Sequence, residues 1–338
     1  EVDHLSSTVD RAVGVRVLVG NGWGFAATSD ISEASIRKAA KRALEVAAAS
    51  NIASTQQVTL SDVGPHVAIW ESEYRIDPWS VAIDRKLEHL MNATEPMRGD
   101  ARIHQVSGEI SCYRQEKVFA SSIGSFIEQT STQMGGGIEA VAIDDGEFQR
   151  RTYPNPFGGD FQAEGWEFIE RLDMPTKALQ IRDEALALLA APKAPAGRFD
   201  LIVGSAQLAL QVHESCGHPT ELDRVFGTEA SFAGTSFLTT DKLGTLRYGS
   251  DLMNITIDPT IPGALGSFGF DDEGTPAART PIDGSVSMVM PDVEDSTRKS
   301  TGCPEGGTCT TPVATGEPPA IRLPASRVGP AHSRSSSQ

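Results

Sequence analysis

Leu210-Gln-Val-His213-Glu214-Ser215-Cys216-Gly217-His218-Pro219-Thr220-Glu221 sets two imidazoles and a carboxylate within six residues. That is what a catalytic zinc site asks of one segment: two neutral nitrogen ligands with a base beside them. The common form of this arrangement is His-Glu-x-x-His on a helix, but here the second histidine comes one residue later. At roughly 100° per residue, a step of four returns to the same helical face, whereas the five-residue step from His213 to His218 swings about 140° away. A regular helix therefore cannot aim both rings at one ion. Gly217 before His218, and Pro219 biasing His218 out of the right-handed helical region, predict that the last turn widens or unwinds. Glu221 and Asp223 follow closely; either carboxylate can fix an imidazole tautomer by a hydrogen bond or act as an oxygen ligand, and either can simply be a solvated charge.

The rest of the composition sets the frame. The chain has 338 residues, 39% hydrophobic and 22% charged, with a formal net charge of -16. This is ordinary globular material with enough apolar content for one or two cores. A strongly acidic chain repels a phosphate backbone, so nucleic acid is not expected as a direct ligand. No apolar run approaches the ~20 residues that span a bilayer, and no signal-like apolar region follows the start, which predicts a cytoplasmic protein without a membrane. Cys112, Cys216, Cys303 and Cys309 are too few and scattered for a disulfide framework, so thiols or ligands are expected. The chain opens on Glu1 rather than Met and reads as a fragment.

In chain order, Val13-Gly-Val-Arg-Val-Leu-Val19, the Gly20-Asn21-Gly22 turn and Trp23-Gly-Phe-Ala-Ala27 predict a hairpin. Asp30-Ile-Ser-Glu33 has the form of a capping box, with Ile36, Ala40, Ala43, Leu44 and Ala47 at helical spacing behind it. Val58 to Val63 reads as a strand. Asp77-Pro78 opens a second helix with Ile83, Leu87, Leu90 and Met91 on one side, and His89 within it reads as structural. Arg102 to Arg114, Lys117 to Ser122 and Gly124 to Ile143 form extended segments of an antiparallel meander, with Gly135-Gly-Gly137 expected to separate or bend them. Pro175 to Ala191 is a helix, and Pro192-Lys-Ala-Pro-Ala-Gly197 is a candidate boundary. Phe199-Asp-Leu-Ile-Val203 has a buried-strand pattern, and Ser205 is placed to cap the helix that carries the histidines.

His213-Glu-Ser-Cys-Gly-His218 with Glu221 and Asp223 resembles the signature of the TldD branch of the TldD/PmbA family of metallopeptidases. Gly263-Ala-Leu-Gly-Ser-Phe-Gly-Phe-Asp-Asp-Glu-Gly-Thr-Pro276 is similar to the family's second strong block, and Arg11 to Phe25 to its N-terminal hairpin. The resemblance runs from about residue 8 to 284. It implies a zinc ion, one per chain, held by His213, His218 and a downstream cysteine. Cys303, in Cys303-Pro-Glu-Gly-Gly-Thr-Cys309-Thr-Thr-Pro312, is the better match, with Cys309 in reserve. It also implies short or unfolded peptides as substrate, and a PmbA-type homologous subunit as heterodimer partner, or self-association. Iron or cobalt suit similar nitrogen and sulfur sites. Cys216 reads as a packing residue. The span from His218 to Cys303 is much shorter than the family pattern, so the C-terminal region reads as shortened or altered.

The mechanism expected is metal-assisted peptide hydrolysis with Glu214 as general base. Two alternatives stand beside it: an unrelated zinc peptidase with the same His-Glu-x-x-Gly-His spacing, and an inactive fragment or subunit acting only as a binding partner. The fold class expected is α+β: N-terminal helices packed on an antiparallel sheet, followed by a β-rich C-terminal metal-binding domain. The boundaries expected are 1–191 for the first domain, 198–321 for the second and 322–338 for a disordered tail.

Overall fold

A computed structural model of the chain describes residues 2–54, 57–60, 63–228, 230–242, 244–250 and 252–283. The chain is α+β and divides into two compact units. The described residues within 2–63 and 226–235 belong to the first; those within 64–225 and 236–283 belong to the second.

The first unit is a hairpin and a helix. Strands β1 (Val13–Val19) and β2 (Gly22–Thr28) pair antiparallel, from Val13 opposite Thr28 to Val19 opposite Gly22. Gly20 turns the chain at φ 57°, a conformation that side-chain-bearing residues rarely adopt. Helix α1 (Glu33–Ala53) buries Ala39, Ala43 and Ala47. These small residues bring its backbone so near the hairpin that a Cβ on Gly24 would lie 1.9 Å from the Ala43 carbonyl oxygen. The predicted capping box is replaced by a different cap. Ser32 is the N-cap, its hydroxyl accepting from the Ser35 amide, while Asp30 accepts from the Ser32 amide and the Ser35 hydroxyl. A short serine side chain one residue before the helix reaches the Ser35 amide directly.

The second unit is built on a mixed sheet. Strand β3 (Val67–Glu71) precedes helix α2 (Ile83–Thr94), and β4 (Ile103–Ala120) and β5 (Phe126–Asp144) pair antiparallel along nearly their whole lengths. The other edge of β5 takes β3 in parallel, and β6 (Glu147–Tyr153) and β7 (Asp160–Gln162) antiparallel. The parallel β3 makes the sheet mixed rather than wholly antiparallel. The strand expected at 58–63 is not formed by its described residues; β3 lies four residues later. Gln115 and Glu116 do not interrupt β4. Nor does Gly135-Gly-Gly137 end or bend β5 away: a Cβ on Gly135 would fall 2.2 Å from the Phe161 ring, and one on Gly137 2.1 Å from the Gly158 oxygen. The glycines admit β7 and its preceding turn at close range.

Helices α3 (Glu167–Leu172) and α4 (Met174–Leu189) complete the layer over the sheet. Met134, Ile138, Ala140 and Ala142 of β5 meet Val106 of β4, Ala93 of α2, Trp166, Phe168 and Ile169 around α3, and Ala178, Ile181 and Ala185 of α4. Burying each large side chain here is worth about 1.5–3 kcal/mol. The Glu167 carboxylate is buried yet satisfied, accepting from the amides of Arg75 (2.8 Å), Ile76 (2.9 Å) and Gly165 (3.1 Å). Burial opposes ionisation there, but the amide donors outweigh it and hold the carboxyl below its usual range. His89 packs edge-on against Trp166, ring centroids 5.8 Å apart, and burial lowers its pKa.

The Gly263–Pro276 block docks onto the sheet. The Gln129 side chain accepts from the amides of Gly269 (3.0 Å) and Phe270 (2.8 Å) and donates to the Phe270 oxygen (2.9 Å). Asp271 folds the turn by accepting from the Glu273 and Thr275 amides, with Gly274 at φ 84°. Further along, Phe199–Val203 belongs to no strand and is largely exposed. An apolar run becomes a strand only where another strand lines up beside it, and no such partner lies among the described residues. Helix α5 (Ser205–Val212) starts after Gly204 as N-cap, with no side-chain cap from Ser205. Helix α6 (Leu222–Phe226) follows the histidine motif, and β8 (Asn254–Ile257) pairs antiparallel with β9 (Thr280–Asp283). No described helix is long and apolar enough to cross a membrane.

Candidate metal centre

Helix α5 runs directly into a single π turn over His213–Gly217, closed by the His218 amide donating to the His213 carbonyl. A turn closed from residue i+5 to residue i stacks the sixth residue over the first. The five-residue step that would part the rings on an α-helix thus becomes one full turn. The widening expected at this point occurs, but not by His218 leaving the helical region: its φ of -57° and ψ of -41° are right-handed helical. The ring centroids of His213 and His218 are 4.3 Å apart, and their planes cross at 75°.

His213, Glu214 and His218 each present a ligand atom within 4.8 Å of the others. The Glu214 side chain is 60% exposed and that of His213 40%, so the cluster opens to solvent on the Glu214 side. On the other side Glu221 Oε1 lies 2.7 Å from His218 Nδ1, and Arg224 Nε donates to Glu221 Oε2 at 2.5 Å. Arg224 Nη2 is 3.3 Å from the same ring nitrogen. The nearer, anionic partner assigns the proton to Nδ1, so His218 donates to Glu221 and its Nε2 lone pair is left for a ligand. Of the two downstream carboxylates expected near the imidazoles, Glu221 meets the ring; Asp223 sits on α6, outside the three-residue donor group. Cys303 and Cys309 lie outside the described residues, as does the predicted tail 322–338.

The carbonyls released at the end of this helix find side-chain donors. The Thr220 hydroxyl serves those of Cys216 (3.0 Å) and Gly217 (2.8 Å), and the Tyr248 hydroxyl donates to that of Ser215. Cys216 is buried, and desolvation pushes its thiol pKa up, as suits a packing residue. Burial, then the adjacent Cys216, also raises the Tyr248 phenol. Sequence reasoning did not single out Thr220, Arg224 or Tyr248. Thr220 and Arg224 stand close enough to the motif to be tested for capping and ion pairing, but Tyr248 is 33 residues from Ser215 and carries no local signal.

Three domain models of one family cover the chain in order: PmbA/TldA metallopeptidase domain 1 over residues 1–47, the central domain over 76–189 and the C-terminal domain over 196–323. The chain belongs to the PmbA/TldA metallopeptidase family. Among its family relatives, a metalloprotease of Methanocaldococcus jannaschii is 32% identical over 282 residues, covering 83% of this chain and 59% of that protein. A metalloprotease TldD homolog of Haemophilus influenzae is 28% identical over 279 residues, covering 80% of this chain and 54% of that protein. The chain therefore spans between a half and three fifths of the length of these relatives. Solved structures with a similar fold include the following two. A Thermotoga maritima protein described as a modulator of a DNA gyrase aligns at TM-score 0.61 and 18% identity, covering 81% of this chain and 58% of that one. TldE from Thermococcus kodakarensis aligns at TM-score 0.54 and 16% identity, covering 81% and 58%.

Proposed function

We propose that this chain is the metal-bearing subunit of a peptidase that hydrolyses short or unfolded peptides, with one zinc ion per chain held by His213, His218 and Cys303. The observation that carries the reading is the convergence of the His213, Glu214 and His218 donor atoms to within 4.8 Å. The donor set fits zinc: imidazole nitrogens suit it, and a thiolate would complete three protein ligands with one open position. Cys309 is the alternative to Cys303. When bound, the ion supplies Lewis acidity that polarises the scissile carbonyl and acidifies the attacking water.

The chain's own groups supply the proton transfers. Glu214 neighbours His213 at 3.9 Å and faces solvent, so it can take the proton of the attacking water and return it to the leaving amine nitrogen. Glu221, clamped by Arg224, keeps the His218 ring oriented with Nε2 free. A PmbA-type homologous subunit, or a second copy of this chain, is proposed to complete the substrate cavity, in the cytoplasm. The names carried by the relatives support the metalloprotease part of this reading.

Elemental analysis of the purified full chain, before and after mild chelation, tests it. About one zinc per chain, lost in Cys303→Ala, is the expected result. Absence of stoichiometric metal would favour the alternative of a non-catalytic subunit that only binds a partner.

A further inference from the structure

We infer that Tyr248 is a positioning residue for the metal ligands, its hydroxyl holding the π turn that stacks His218 over His213. The inference rests on the metal reading above and deepens it. In a continuing α-helix the Ser215 carbonyl would accept from the residue four places on, which is Pro219; proline has no N–H, and its ring crowds that carbonyl. The turn therefore widens, and the His218 amide bonds to the His213 oxygen instead. The displaced Ser215 carbonyl is caught by the Tyr248 hydroxyl.

The same stretch of chain grips the other side of the proline. The Ser236 hydroxyl donates to the Pro219 carbonyl at 2.6 Å and accepts from the Leu238 amide at 2.9 Å. Phe237 stacks on the Tyr248 ring, centroids 5.7 Å apart at 22°. Thr220 binds two carbonyls of the turn, but from the short turn that directly follows it. Tyr248 ties a carbonyl inside the π turn to a segment 33 residues away, whereas Ser236 holds the carbonyl of Pro219 just beyond it. π turns are rare because an α turn is ordinarily the lower-energy closure, so the widened turn needs support that proline alone does not give. Removing the hydroxyl leaves the Ser215 carbonyl without its donor and frees the turn to rearrange.

Two variants of the full chain test this. Tyr248→Phe removes only the hydroxyl and keeps the ring on Phe237. Pro219→Ala restores the missing amide and relieves the crowding, so the α turn can close and carry His218 about 140° round the helix. Zinc affinity, measured by chelator competition, is expected to fall roughly 10–100-fold in each, with the melting temperature of the metal-free Tyr248→Phe protein nearly unchanged. Unaltered affinity in Tyr248→Phe overturns the inference, as does a loss of affinity that only tracks a loss of thermal stability.

Hydrogen exchange of the His218 amide in metal-free protein separates this inference from the metal reading. Faster exchange at His218 in Tyr248→Phe, with β5 amides unmoved, supports the clamp even if the parent chain takes up no zinc. Unchanged exchange refutes it.

Discussion

Glu221 and His218 form a bonded pair three residues apart, carboxylate Oε1 to ring Nδ1 at 2.7 Å, with Arg224 holding the second carboxylate oxygen. The pair sets which ring nitrogen is free. Glu221→Ala is therefore expected to weaken zinc binding roughly 10–100-fold without unfolding the chain, and Glu221→Gln, which keeps an acceptor oxygen, to weaken it less. Chelator competition on both variants checks this; equal affinities in parent and alanine variant would remove Glu221 from the site.

Glu214 is assigned the proton transfers and no share of metal binding. Glu214→Gln should retain zinc while peptide cleavage falls by at least ~10²-fold. Cleavage at the parent rate, or loss of zinc together with activity, would contradict that division of roles.

Glu167 ties the segment before α2 to α3 through three amide donors. Glu167→Ala leaves those amides without their acceptor and should cost about 3 kcal/mol in urea unfolding. The pH dependence follows from the lowered pKa of the folded state. The ionised carboxylate contributes its full stability above the unfolded value of about 4.3, and that contribution disappears as pH falls through the lower folded value. A Glu167→Gln protein, which has nothing to titrate there, should show a flatter acid limb than the parent.

His89 is also depressed in the folded state, by burial first, with Asp173 and Glu170 pulling its pKa up and Arg85 pushing it down. Folding favours the neutral ring, so its contribution is complete above about pH 6.5 and declines as pH falls toward the folded value. His89→Phe preserves a ring against Trp166 and should flatten the melting-temperature profile between about pH 7 and pH 5. An undiminished slope in the variant would show that other groups cause it.

Much of this protein is legible in its sequence because the relevant rules act over a few residues. The β1–β2 hairpin follows from alternation around Gly20, and α1, α2 and α4 from helical spacing. That the turn after His213 departs from a regular α-helix is legible in Gly217 and Pro219, on either side of His218. The same local rules misplace elements whose existence depends on a remote partner. Phe199–Val203 has the pattern of a buried strand but lies in no strand, while β3 forms because β5 is there to receive Val67–Glu71 in parallel.

By itself the sequence determined the donor types and their spacing: two imidazoles, a carboxylate, and a proline just after the second imidazole that disfavours a regular helical turn there. Tertiary structure decided how they are held. Residues as far apart as Ser215 and Tyr248, or Gln129 and Phe270, meet only after the chain has folded. A hydrogen bond between groups so distant in sequence leaves no periodicity or spacing to read, because its geometry is set by the packing of whole elements and not by the residues on either side.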